Sequence, residues 1–244
     1  MAEFAAKLAR GVTVRADLGV NAATGVAVVG ANATMTEGTT LYANRVKIAP
    51  GAEVDDVRTN ALNAADTNSI NGTVDPVALP LKVPYCPMPE LSCGTGDMQV
   101  TDTTTELAPG SYGKVNVGTG AILHLPGNGH YQFCELRIAN GGQVLVTHQV
   151  TIDVTGNVIV GTRSSFRTGG GAPFTLRVGG SKVLLGREAL VTAAITAPNA
   201  KGKVKADSTL AGCMCARVLK AAKNAQLTCA GDSGEGSPSG AFTD

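Results

Sequence analysis

Tryptophan is absent from the 244 residues, and aromatic residues amount to only 4%. Surfaces that bind sugars or single-stranded nucleic acid by ring stacking are therefore poorly provided for. Histidine occurs only as His124, His130 and His148, with no His-x-x-x-His spacing and no Glu pairing to suggest a metal or general-base role, so surface positions are expected. Carboxylates are scarce in the second half: Asp153 and Asp207 are the only aspartates between residues 111 and 230. A two-carboxylate hydrolase site there is disfavoured. No apolar run is long enough to cross a bilayer, so no membrane span is expected. No secretory leader is visible, although Met1-Ala2-Glu3-Phe4 matches what a common cloning site encodes.

What the chain does have is glycine, 31 in all, and short apolar pairs that recur at a fixed period. One ladder runs Val115, Leu136, Val158, Val183 and Val204; a second runs Leu123, Val144 and near Ser165; a third runs Tyr131, Ile152, Leu176, Ile195 and Met214. The steps average about 21 residues, and three interleaved ladders imply three faces per turn. Within a rung the apolar residues lie two apart, as in Val115/Val117 and Ile152/Val154, so both point inward from a strand. Gly and Asn between rungs suit sharp corners. The expected fold is all-β, a right-handed β-solenoid of triangular cross-section. Its outward positions on the first face read Asn116, Arg137, Ile159, Leu184, Lys205 and Leu219, and on the third Gln132, Asp153, Arg177 and Thr196.

The rest of the chain divides around that stretch. Residues 1–10 are expected to be a cloning remnant or a short capping helix, with Phe4 and Leu8 on one face. Residues 11–74 repeat the pattern less cleanly, in Val12/Val14, Val26/Val28, Val46/Ile48 and Ala52/Val54, and read as about three coils with a loop near residues 64–71. Residues 75–110 carry six prolines together with Cys86 and Cys93. Proline cannot donate to a ladder, so this is a connector lying along the outside of the stack. Residues 111–230 are the main solenoid segment, with a loop excursion at residues 168–171, and residues 231–244 have the composition of a disordered tail.

Six cysteines allow 15 connectivities. Cys86 and Cys93 share a loop and are the first pair expected. Cys229 lies one coil after Ala211, within reach of Cys213 or Cys215. Cys134 is several coils from those two but can meet the connector cysteines, displacing the first pair. A metal site of Cys213, Cys215 and Cys229 lacks a fourth ligand, and no metal, cofactor or catalytic residue is assigned. Charge is asymmetric: residues 1–110 hold 7 Lys/Arg against 12 Asp/Glu, and residues 111–230 hold 13 against 4. The basic 111–230 segment is a candidate to bind an anionic polymer; no specific nucleic-acid motif is present. The outward apolar residues Leu145, Ile159 and Leu184 are either covered by the connector or form a contact patch for another protein.

The runs Leu107-Ala-Pro-Gly-Ser-Tyr-Gly-Lys-Val-Asn-Val, Tyr131-Gln-Phe-Cys-Glu-Leu, Val150-Thr-Ile-Asp-Val-Thr-Gly-Asn-Val and Ile195-Thr-Ala-Pro-Asn-Ala resemble bacterial β-solenoid domains of envelope or secreted proteins, found with pilus-assembly or polymer-forming proteins. Similarity to bactofilins is more distant. The resemblance implies a right-handed solenoid in an extracytoplasmic setting and supplies no catalytic residue. The resulting expectation is a non-catalytic structural or interaction scaffold whose partners are envelope proteins or further copies of itself. The alternatives are a filament-forming solenoid and a carbohydrate-binding or carbohydrate-active β-helix.

Overall fold

Inward apolar residues alternate with outward polar ones along almost every strand, and each strand finds a parallel neighbour about one coil away in sequence. A computed structural model describes residues 2–79, 88–101, 103–169 and 173–229. It is a β-solenoid of about 10 turns. Apart from a 3-10 turn at Thr67–Ser69, the regular structure of these residues is strand throughout. Three parallel ladders run the length of the stack. The second face forms its own sheet, and the first and third share long strands that pass the corner between them, such as Gly129–Ile138 and Ala193–Val204.

The stacked residues are largely those expected. Val115, Leu136, Val158 and Val183 lie one above another, as do Tyr131, Ile152, Leu176, Ile195 and Met214. On the second face Leu123 and Val144 continue to Phe166, whose ring meets Phe174 at 4.5 Å. Two assignments slip. Gly202, not Val204, lies beside Val183, and Val204 follows Leu185. Lys203 and Lys220 therefore continue the outward row from Leu184; the expected Lys205 is exposed but lies two residues past that row, and the expected Leu219 is buried. A glycine carries no apolar mark, so apolar spacing alone places the register two residues late; Met214 Sδ would lie 2.9 Å from a Cβ at Gly202, so its side chain occupies the space. At Val26–Val29 the inward residues are Ala27 and Val29, not Val26 and Val28.

The largest departure concerns the N-terminus. Ala2–Leu8 is a strand, not a capping helix, and it lies inside the stack. It pairs in parallel with Met214–Ala221 on one side and with Val26–Val29 on the other. Thr13–Arg15 closes the second face between Gln226–Thr228 and Thr34–Met35 in the same way. The spatial order of coils is thus residues 98–228 followed by residues 2–77, and the two segments form one continuous stack with the chain start at its middle. Pairing on both edges outweighs the weak helical preference of an Ala-rich segment, because each residue gains ladder bonds and buries Ala6 and Leu8.

One corner shows how regular the seam is. Gly120, Gly141, Arg163, Glu188, Asp207, Asn224, Gly11, Asn32 and Gly51 occupy equivalent positions between the first and second faces, all with φ between 52° and 72°. From Gly141 to Gly11 each amide donates to a carbonyl of the next coil, including Asn224 N–H to Arg10 O across the seam. Asn32 and Asn224 tolerate this left-handed geometry by side-chain chemistry. A Cβ at Gly51 would lie 2.5 Å from Asn32 Oδ1, so the alternation of Gly with Asn is steric as well.

The coils also begin earlier than expected. Met98–Val100 and Thr105–Glu106 pair with the next turn, so residues 98–107 form a first coil rather than connector. At the opposite end Asp56–Ala64 and Val74–Asp75 continue the stack beyond the three coils anticipated.

Candidate functional surfaces

The connector is a strap. Its described part, residues 88–97, climbs the corner between the third and first faces. Leu91 meets Gly179, Thr155 Oγ1 lies 3.4 Å from Cys93 Sγ, Gln132 Nε2 donates to Ser92 Oγ at 3.0 Å, and Gly94 and Gly96 exchange backbone bonds with Tyr112 and Gly113. Asp97 Oδ1 accepts from Lys114 N–H at 2.7 Å where the strap enters the first coil. Cys93 is bonded to Cys134, which pins the strap to the stack and corrects the Cys86–Cys93 pair expected from their shared loop. Cys86 itself lies outside the described residues. Cys213 is bonded to Cys229 across adjacent coils beside the seam, and Cys215 is disulfide-bonded as well, so these three cysteines are not a thiolate metal site. No group of three or more His, Cys, Asp or Glu among the described residues is placed to hold a metal ion.

On the third face an outward cluster forms that single-strand reading did not find. Asp153 is 2% exposed; Arg177 donates to its two oxygens from Nε at 2.6 Å and Nη2 at 2.8 Å, and His130 Nε2 lies 2.6 Å from Oδ2. A buried carboxylate requires such partners. The row Gln132, Asp153, Arg177 that builds the pair was legible, but His130 joins it diagonally from the preceding coil. His124 similarly meets Glu106 at 3.1 Å, one coil and 18 residues away. His148 contacts Thr147 Oγ1. His124 and His130 keep exposed surface as expected, and each gains a carboxylate partner that spacing along the chain does not show. Asp153 and Asp207 stand on different faces and do not converge; Asp207 accepts from Asn224 Nδ2 at the corner. Burial pushes the Tyr131 phenol above its usual 10, and its hydroxyl donates to Leu107 O at 3.3 Å, tying two coils.

The apolar patch splits. Ile159 and Leu184 are adjacent on the first face and line a shallow open groove with Arg187 and Lys205. Leu145 belongs to the second face. The described strap keeps to its corner beside Gly179 and Cys134. Of the 168–171 excursion, Thr168 ends the strand Ser165–Thr168, and Gly170 and Gly171 lie outside the described residues.

The far end of the stack presents core-facing side chains to solvent. Leu62, in register with buried Val46, is 39% exposed, and Val74, in register with buried Val57, is 48% exposed. Asp56 Oδ1 beside them accepts from the Thr73 amide at 2.7 Å and from its hydroxyl, which holds that carboxyl below its ordinary 3.8. No helix among the described residues is long and apolar enough to cross a membrane.

Comparison of the chain with protein-family models, curated proteins and solved structures finds no match.

Proposed function

We propose that this protein is a non-catalytic structural scaffold of a bacterial cell envelope or secreted assembly. The observation that carries the reading is the uninterrupted stack: about 10 turns joined through the chain's own start, with an external strap covalently fixed at Cys93–Cys134. A column whose backbone groups are bonded to the coils above and below resists bending and holds its outward faces at fixed spacing. The disulfides support an oxidising, extracytoplasmic setting. Partners of such a column are polymers or proteins that run along a face.

Small-angle scattering tests the scaffold directly. The expected particle is a single rod about 50 Å long, from about 10 turns at about 4.8 Å each. Incubation with neutral and acidic polysaccharides should release no product. A compact or two-lobed scattering profile, or catalysed depolymerisation, would overturn the reading. End-to-end self-association is a second reading, favoured by the exposed Leu62 and Val74 at the last coil. It predicts sedimentation above monomer mass that Leu62→Lys abolishes.

A further inference from the structure

We infer that the first face binds a linear acidic polysaccharide lengthwise, along a row of lysines that exists only because Ala2–Leu8 is inserted into the stack. The inference rests on the scaffold reading and supplies its partner. In register, the outward positions run Lys203, Lys220, Lys7, Val28 and Lys47 on consecutive coils. Lys203 and Lys220 come from the C-terminal part of the chain, Lys47 from the N-terminal part, and Lys7 joins them. Four steps at about 4.8 Å place four ammonium groups along about 19 Å of one straight line. Lys201 and Arg45 stand on the parallel row of the same face.

Among the described residues, no ion pair involves any of these cations. Arg137 and Glu135 pair on the same face but three coils before Lys203, the other ion pairs among the described residues lie on the other faces, and Glu188 and Asp207 stand at the adjoining corner. Neighbours one rung apart are well inside the screening length of about 8 Å at physiological salt, so they repel one another. The Lys201 ammonium accordingly has its pKa lowered, chiefly by Lys220 and then by Lys203 and Arg217. A face charged this way is relieved by a polyanion, and a folded state that binds one is stabilised.

Three features favour an acidic glycan over nucleic acid. The row is flat and carries no aromatic side chain, so bases find no stacking platform. It is built from lysine, a hydrated point charge suited to single carboxylate contacts, where bidentate phosphate recognition selects arginine. Its step is comparable with the length of one sugar residue in an extended chain, whereas a duplex turns its phosphates away from a straight line. The disulfides add a compartment in which acidic glycans are the common polyanions.

The test is a titration of the full chain with labelled polygalacturonate, using dextran and a single-stranded oligodeoxynucleotide as comparison probes. Polygalacturonate should bind, dextran should not, and the oligonucleotide should bind more weakly. Affinity should fall about tenfold or more between about 50 and 200 mM salt, as released counterions require. The triple variant Lys7→Gln, Lys203→Gln, Lys220→Gln should lose at least about tenfold. Removing as many charges elsewhere, with Lys114→Gln, Arg15→Gln and Arg167→Gln, should change affinity less than about twofold. All six side chains are outward-facing, and unchanged melting of both variants verifies that each is folded; Lys7→Gln alone, with an intermediate loss, stands in should the triple variant not fold. No binding at low salt, equal losses in the two triple variants, or tighter binding of the oligonucleotide would each overturn the inference. Those results leave the rod-shaped scattering profile untouched, so they sink the glycan partner without sinking the scaffold.

Discussion

Leu8 is the side chain on which the inserted strand depends most. It is fully buried, and its neighbours along the ladder are Ala221 on one coil and Val29 on the next. Truncation to Ala removes its branched end from a site flanked by small residues on strands bonded on both edges. The cavity cannot collapse easily, and the expected cost is about 3 kcal/mol. For a domain of this size that lowers the melting temperature by about 6–12 °C. Leu62 provides the matched comparison: the same change on the same face, three coils further on, but at the exposed end of the stack. Its loss should cost about 1 kcal/mol, in proportion to the smaller burial. Urea and thermal denaturation measure both, and hydrogen exchange reports where protection is lost; in a stack, the damage from Leu8→Ala should spread to residues 214–229 and 26–35 alike. If residue 8 instead belonged to a frayed terminus, its truncation would cost less than about 0.5 kcal/mol and less than that of Leu62, and the insertion would be refuted.

Breaking the strap bond with Cys134→Ser should remove about 3 kcal/mol and open residues 88–97 to limited proteolysis while the β-sheet circular dichroism signal persists; an unchanged digestion pattern would contradict the strap. Arg177→Ala leaves the buried Asp153 carboxylate with His130 alone and should cost about 3 kcal/mol by chemical denaturation, whereas the double change Arg177→Met with Asp153→Leu should be close to neutral. Because Asp56 is held below its ordinary 3.8, its contribution is present above the usual carboxylate range and is lost as pH falls through the lowered value. The Thr73 amide should therefore lose exchange protection in acid, and Asp56→Asn should remove that pH dependence.

The solenoid was legible because inward positions on all three faces are mostly Val, Leu, Ile and Ala at a steady interval, and because glycines mark the corners. Legibility failed where a position carries no such mark. Gly202 occupies an inward site without an apolar side chain, and Arg163 and Glu188 adopt left-handed corners that nothing in their chemistry announces. Ala2–Leu8 satisfies helical spacing through Phe4 and Leu8 and strand spacing through Ala6 and Leu8, and only the pairing partners from two distant parts of the chain decide between them. The lysine row was hidden for the same reason. Its members lie at residues 7, 47, 203 and 220, and they align only once the spatial order of coils is known. The disulfide partners of the strap depend likewise on where it climbs, which composition does not encode.

The central claim is that spatial order, and a cross-link measures it. Lys7 and Lys220 are outward-facing partners on adjacent strands, about 4.8 Å apart and within disulfide range, while Lys7 and Lys47 are two coils apart at about 9.6 Å and beyond it. In the double variant Lys7→Cys, Lys220→Cys, mass mapping of an unreduced digest should find an intramolecular disulfide between these positions, and in Lys7→Cys, Lys47→Cys it should find none. A missing cross-link in the first variant, or an equal yield in the second, would contradict the inserted strand and the continuous column built on it.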